Sequence, residues 1–277
     1  MKVTPEDLTL EVQKRYGETA RRAQEGDSSG CCGTSCCGGA GSGPDAGAVA
    51  LDLGYSEEDV ATAGEGNLGL GCGNPLALAA IRPGMTVLDL GSGAGFDAFL
   101  AAEKVGPTGR VIGVDMTPEM LDLARRNAQT RGATHVEFRE GRIERLPVES
   151  SSVDLVISNC VINLSTDKPA VFAEIARVLK PGGTISVSDI VLVRELPESV
   201  RSNVLAHVGC IAGASAVGEY VARLLDAGLV DVTLPRVAPI GNMLDGIEGI
   251  TGGEAAAAAH AVVSALFVAR KPARANT

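Results

Sequence analysis

The chain has 277 residues, of which 45% are hydrophobic and 21% charged, enough to bury one large core or a core with an appendage. Lys and Arg total 24 against 34 Asp and Glu; the net charge of −10 argues against a nucleic-acid or anionic-membrane surface, both of which need a basic face. Trp is absent and only eight residues are aromatic, so base-stacking platforms and aromatic cages are not expected.

Residues 5–25 read as an amphipathic helix with Leu8, Val12, Tyr16 and Ala20 on one stripe. Its acidic residues leave no apolar stretch of a signal peptide, and no run approaches the roughly eighteen apolar residues of a membrane span. A cytoplasmic location is therefore expected. Residues 26–48 are Gly, Ser, Ala and Cys with almost nothing to bury, and they are expected to form a flexible loop. That loop carries Cys31, Cys32, Cys36 and Cys37 out of seven cysteines, an odd count unlike a secreted disulfide framework. In a reducing compartment such a cluster points to metal, metalloid or redox chemistry. A short helix from Ser56, the Gly-rich segment Gly64–Asn74 and a turn at Pro83-Gly84 follow.

Strands and helices then alternate. Strands are expected at Thr86–Leu90, Arg110–Val114, Val136–Arg139, Val153–Ser158 and Thr184–Ile190, with helices to about Lys104, over Thr117–Arg131 and over Pro169–Leu179. Lys180-Pro181-Gly182-Gly183 is expected to break the last of these before the fifth strand. Two helices, roughly 197–211 and 215–227, precede strands near 230–238 and 263–270; the Ala run 255–259 is helix-prone. Apolar strands alternating with helices predict an α/β fold, a mostly parallel doubly wound sheet covered on both faces.

Gly91-Ser92-Gly93-Ala94-Gly95 joins the first strand to its helix, where glycines let backbone turn sharply and approach a ligand. Asp115 ends the second strand, 24 residues after Gly91, placed for a carboxylate to accept from both ribose hydroxyls. The dinucleotide fingerprint would require glycine at position 96, which is Phe96; instead Asp89 precedes the turn, an acceptor suited to an ammonium group. Here the sequence resembles class I S-adenosylmethionine-dependent methyltransferases. Gly141–Pro147, Ser152–Asn159 and Lys180–Gly183 agree in order and spacing. The resemblance implies a Rossmann-like sheet with an antiparallel C-terminal edge strand and an N-terminal helical, Cys-rich extension. It implies S-adenosylmethionine held by Asp89, Gly91, Ser92, Gly93, Gly95, Asp115 and Met116, with Ile143 and Glu144 edging the adenine and Asn159 approaching the methionine. The expected division is an N-terminal segment 1–75 and a methyltransferase domain 76–277, with substrate-covering helices at about 195–228.

Three more cysteines sit where such a fold meets its substrate: Cys72 just before the fold begins, Cys160 after Asn159 at the carboxyl end of the fourth strand, and Cys210 on a helix after the fifth. One cysteine alone is more often a small buried hydrophobe than a ligand. Three able to converge on one cleft change that weighting. With only three His in the chain, a three-thiolate site matches catalytic zinc poorly. It suits arsenic(III), which makes three bonds to sulfur and keeps a lone pair.

At this point the resemblance narrows to arsenite S-adenosylmethionine methyltransferases, from about Tyr16-Gly17 to about Gly213. Its most specific parts are Leu70-Gly71-Cys72-Gly73-Asn74-Pro75 and Ser158-Asn159-Cys160-Val161-Ile162-Asn163-Leu164. It implies that Cys160 and Cys210 are the principal arsenic-binding thiols and Cys72 the third, which also enters disulfide exchange. It implies an N-terminal redox partner, Cys32 being the first choice. The family often has one tandem Cys pair near the N-terminus where this chain has two, and longer relatives carry a C-terminal domain with additional cysteines that is not evident here.

The implied chemistry is attack of the thiol-bound arsenic lone pair on the sulfonium methyl, then reduction by thiols that leaves a disulfide such as Cys32–Cys72. Thioredoxin or glutathione is expected as the reductant, arsenic detoxification as the role, and a monomer as the assembly. No general base is needed, which accords with the scarcity of His. Two other readings stand beside this one: a class I methyltransferase of a quinone, sterol or other small molecule, and a non-catalytic thiol-rich metalloid-binding protein. The first would need an apolar, aromatic-lined pocket rather than Cys72, Cys160 and Cys210. The second leaves the cofactor loop unexplained. A zinc site in the N-terminal cluster is a further alternative, against which its Cys-Cys-x3-Cys-Cys spacing counts.

Overall fold

Val87, Leu88 and Leu90 have no exposed surface, as a strand covered on both faces requires. In the computed structural model, which describes residues 4–25, 45–240 and 249–273, that strand is β1 (Thr86–Leu90), at the centre of one sheet. It pairs in parallel with β2 (Arg110–Asp115) and with β4 (Val153–Asn159). The sheet continues outward through β3 (Val136–Glu140) on one side and β5 (Leu179–Leu192) on the other, and its order is β3-β2-β1-β4-β5-β8-β7. β8 (Val262–Arg270) is antiparallel to β5 and lies between it and β7 (Val230–Pro239), which closes the edge. A two-residue β6 (Ser215–Ala216) adds to the end of β5.

Side-chain alternation divides the core between the two faces. Leu88, Leu90 and Val156 face α6 (Lys168–Val178) and α9 (Val217–Asp226) through Phe172, Ile175, Tyr220 and Leu224. Val87, Leu155 and Ile157 face α4 (Phe96–Val105) and α5 (Pro118–Arg131) through Ala98, Leu100, Leu121 and Ala124. Tyr55, Phe96, Phe99, Phe138, Phe172, Tyr220 and Phe267 each pair edge-to-face or stacked with another ring.

The elements before the sheet lie over the cofactor loop. α1 (Pro5–Gln24) starts on a capping box between Thr4 and Asp7, and its Tyr16, Ala20 and Ala23 meet Ala94, Met120, Leu68 and Leu70. Gln13 donates to the Met116 carbonyl at 3.0 Å and Arg21 pairs with Glu119 at 2.8 Å. α2 (Ala46–Asp52) begins within the stretch expected to be loop: Asp45 caps it, and Asn67 donates to the Ala46 carbonyl. α3 (Glu57–Ala63) starts on a second capping box, Ser56 with Asp59.

Two further expectations change. Lys180–Gly183 does not stop short of the fifth strand: β5 starts at Leu179 and absorbs the four residues as a bulge, with Leu179 opposite Val153 and Thr184 opposite Leu155. The helix expected over 197–211 is two short helices, α7 (Glu198–Arg201) and α8 (Val204–Val208), because Asn203 takes the N-cap position and accepts from the Ala206 amide at 3.0 Å. The Ala run forms α10 (Gly252–Ala259). Among the described residues no helix is long and apolar enough to cross a membrane.

Candidate active site

In an open α/β sheet, ligands bind beyond the carboxyl ends of the strands where the strand order reverses. Here that point lies between β1 and β4. The turn leaving β1 holds Gly91, Gly93 and Gly95 at φ of 65°, 50° and 98°, a region that favours glycine. A Cβ on Gly91 would strike Val161, and one on Gly95 would strike Phe99 and Phe138. One on Gly93 would make only ordinary contact, with the Met120 sulfur at 3.9 Å, so this residue is the least crowded of the three.

Three carboxylates surround the turn. Asp115 accepts from the Gly93 amide at 2.9 Å and the Thr117 amide at 2.8 Å, tying the loop to the end of β2. Asp89 is buried with one carboxylate oxygen unpartnered, as is the Ser92 hydroxyl. Burial, then Asp97 and Asp115, hold the Asp89 carboxyl well above the usual carboxylate range. Asp97, in the first turn of α4, is pushed up to about 6 by burial, although Tyr55 donates to it at 2.6 Å and Asn159 at 3.2 Å. The orphaned Asp89 oxygen and Ser92 hydroxyl, beside the buried Asp97 and the half-buried Asp115, fit a cationic ligand with hydrogen-bonding groups, as the ammonium, sulfonium and ribose of S-adenosylmethionine supply.

The other expected cofactor residues have these places. Met116 offers its carbonyl to Gln13. Ile143 is buried, and Glu144 is held by Ser165 at 2.6 Å and Arg142 at 3.3 Å. Asn159 uses its amide to build the neighbouring loop: its Oδ1 accepts from the Cys72 amide at 3.0 Å, and its Nδ2 donates to the Gly73 carbonyl at 2.8 Å. A Cβ on Gly71 would collide with that amide, and one on Gly73 with Ser188. Small residues thus let the 71–75 segment lie against β5, where Ser186 donates to the Pro75 carbonyl.

That segment delivers Cys72 to Cys160 and Cys210, all three free and buried. Cys160 is central: its thiol interacts with those of Cys72 and Cys210, and the Cys210 thiol donates to the Cys160 carbonyl at 2.7 Å. The neighbouring Val161 occupies the space against Gly91, so the thiols adjoin the cofactor turn. Burial pushes the Cys72 thiol up. At Cys160 the interaction with the Cys210 thiol lowers the pKa, but the Cys72 thiol and burial outweigh it and the net shift is upward; at Cys210 the Cys160 thiol and burial both raise it. The three are therefore held as thiols until an electrophile replaces their protons.

Backbone strain is concentrated here. Cys160 and Cys210 have φ of 61° and 64°, while the other positive-φ residues besides glycine among those described are the exposed Ser151 and Asp231. At Cys210 the cause is a Schellman motif ending α8: the Ile211 amide bonds to the Ala206 carbonyl, and the Cys210 amide to that of His207. The left-handed position of this motif normally takes glycine. We therefore expect Cys210→Gly to be about 1 kcal/mol more stable than Cys210→Ala in urea unfolding. Equal stabilities would show that the position is unstrained.

Three residues at the site carry no signal of their own in the sequence: Tyr55, Asp97 and Asp189. Tyr55 and Asp97 brace Asn159, and Asp189 lies within the thiol pocket: its carboxylate and the Cys72 and Cys160 sulfurs are all within 4.8 Å of one another. Position was the available signal, because Asp189 stands toward the carboxyl end of β5, where a parallel sheet binds ligands. Burial raises its pKa from 3.8 to about 7. A carboxyl raised on folding favours the folded state while protonated, and that advantage is lost as pH climbs from about 4 to 7. Asp189→Asn should therefore stabilise the protein above pH 7, by up to about 4 kcal/mol, and do little at pH 4. Thermal unfolding at both pH values checks this. Cys31, Cys32, Cys36 and Cys37 lie outside the described residues.

The glycine turn, the carboxylate ending β2 and the strand order define a class I S-adenosylmethionine-dependent methyltransferase. A methyltransferase-domain family model matches residues 81–228. An arsenite methyltransferase of Halobacterium salinarum is 46% identical over 98% of this chain and 68% of its own length. One of Aquipseudomonas alcaligenes is 40% identical over 61% of this chain and 51% of its own. Among solved structures, an arsenic(III) S-adenosylmethionine methyltransferase from Chlamydomonas reinhardtii superposes with a TM-score of 0.63 at 35% identity, covering 83% of this chain and 75% of that one. The chain belongs to the arsenite methyltransferase family, and it spans about two thirds of the archaeal relative and half of the bacterial one.

Proposed function

We propose that this protein transfers methyl groups from S-adenosylmethionine to trivalent arsenic held by Cys72, Cys160 and Cys210, in arsenic detoxification. The convergence of these three buried thiols beside the cofactor turn carries the reading. Each As–OH bond of arsenite exchanges for an As–S bond as a thiol proton leaves with the hydroxide as water, so binding needs no net base.

S-adenosylmethionine supplies a sulfonium-activated methyl group. The residues of the chain orient it: the Gly91–Gly95 turn receives its methionine part, Asp89 its ammonium and Asp115 its ribose, while Ile143 and Glu144 border the adenine. Asn159 acts chiefly by fixing the Cys72 loop, and its position also borders the methionine part. Arsenic, pinned by sulfur, presents its lone pair toward the methyl carbon, and forming the As–C bond breaks the C–S bond. A further thiolate, assigned to Cys32, then attacks the sulfur of Cys72 on arsenic. The As–S bond breaks, its electron pair returns to arsenic, and a Cys32–Cys72 disulfide forms. A dithiol such as thioredoxin, or glutathione, reopens it.

This reading places the protein in the cytoplasm as a monomer and makes residues 1–75 the redox and substrate-side segment of a methyltransferase domain at 76–277. A quinone- or sterol-type acceptor is disfavoured because Tyr55, Phe96, Phe99, Phe138, Phe172, Tyr220 and Phe267 pack against one another rather than line a pocket. Incubation with methyl-labelled S-adenosylmethionine and a dithiol should place label on arsenic only when arsenite is present. Label transfer to a quinone, with none to arsenite, would overturn the reading. Deleting residues 26–40 should slow multiple turnover about tenfold or more while leaving arsenite affinity nearly unchanged, as measured by steady-state rates and titration. Equal losses would remove the redox role from that segment.

A further inference from the structure

Asp189 takes no part in the chemistry above, yet it is fully buried against two of the thiols. Among the described residues no Lys or Arg forms an ion pair with it; Lys168 instead donates to the Ser165 carbonyl. Its carboxylate is fixed from several sides. One oxygen accepts from the Asn163 amide at 2.8 Å and the Ile190 backbone at 3.0 Å, and the other from the Tyr220 hydroxyl at 3.3 Å. Asn163 is itself buried and also donates to the Ile190 carbonyl at 2.6 Å. Carboxylates that ligate metals are held by outer hydrogen bonds of this kind, and the two adjacent sulfurs supply the further ligands that one ion needs.

We propose that the pocket is also a binding site for a thiophilic divalent cation of the zinc or cadmium type, ligated by Cys72, Cys160 and Asp189. Two thiolates and a carboxylate suit such an ion, with water in a fourth position. Binding replaces two thiol protons, which pass to the buffer, and it gives the buried carboxylate a counter-charge. Arsenic(III) and the divalent ion then share Cys72 and Cys160 but differ in their third ligand. Arsenic takes the Cys210 sulfur, which sits on the Cys160 carbonyl outside the Cys72–Cys160–Asp189 group. The ion takes the Asp189 oxygen. Occupancy by one excludes the other, so the cation is a competitive inhibitor of the arsenite reaction. Only this competition rests on the arsenite reading; the cation site itself does not.

The test uses the full chain with Cys31, Cys32, Cys36 and Cys37 replaced by Ser and a phosphine reductant, so that cadmium meets only the three buried thiols. Cadmium and arsenite are titrated separately, following thiolate-to-metal absorption and heat. Asp189→Asn should weaken cadmium about tenfold or more and leave arsenite affinity nearly unchanged, and Cys210→Ser should do the reverse. Cadmium NMR of the parent background, which depends on no pocket variant, should report two sulfur ligands with oxygen completing the shell. Three sulfurs around cadmium, or cadmium affinity indifferent to Asp189→Asn, would overturn the proposal. If cadmium behaves as stated while arsenite fails to bind, the arsenite reading fails and the cation site stands.

Discussion

Cys160→Ser should abolish methylation of both arsenite and methylarsenite, with a fall of at least about a thousandfold in kcat/KM. The central thiol interacts with both of its partners, so its loss leaves Cys72 and Cys210 without the sulfur that completes the three-thiol group. A serine hydroxyl does not replace sulfur on a soft metalloid. The loss should appear in arsenite binding before it appears in chemistry. S-adenosylmethionine affinity should change less than about threefold, because the glycine turn and its carboxylates remain. The fold should also survive, since the substitution keeps the side-chain size at a strained position the backbone already tolerates. Parental turnover in this variant would remove the thiol site from the mechanism.

Asp115→Ala should have the opposite signature. Its carboxylate ends β2, anchors the Gly93 amide and has capacity left for ribose hydroxyls. Removing it takes away charge-assisted bonds to the ligand and frees the loop, a loss of about 2–4 kcal/mol or roughly thirty- to thousandfold in S-adenosylmethionine affinity. Arsenite titration should be nearly unaffected, as the thiols are held by Asn159, β5 and the end of α8. Asp115→Asn, which still accepts from Gly93, should recover part of the loss. Titration of each variant with both ligands separates the two halves of the site; parallel losses of both affinities would show one interdependent pocket.

Much of this was legible in the sequence because the signals are local. The strand Thr86–Leu90 has the bounds expected from its apolar run, and the glycine turn after it has the positive φ values its composition calls for. Cys72, Cys160 and Cys210, distant in sequence, lie in one buried group whose thiols interact. What was not legible depends on tertiary partners. The break between α7 and α8 hinges on which way the Asn203 side chain turns. The start of α2 within a Gly- and Ala-rich stretch depends on the cap at Asp45 and the bond from Asn67. Asn159 was expected to face the methionine, yet its amide is divided between Cys72, Gly73, Tyr55 and Asp97, a network of residues up to 104 positions apart. Asp189 is not legible because an acid in an apolar strand has no periodic signal of its own; only the sheet brings it to the thiols.

The most direct test of the thiol site is X-ray absorption at the arsenic edge on the arsenite-loaded protein, with Cys31, Cys32, Cys36 and Cys37 replaced by Ser. The account predicts three sulfur neighbours and no oxygen, with one sulfur exchanged for oxygen in Cys210→Ser. An arsenic shell that retains oxygen in the parent, or one unchanged by Cys210→Ser, would contradict it.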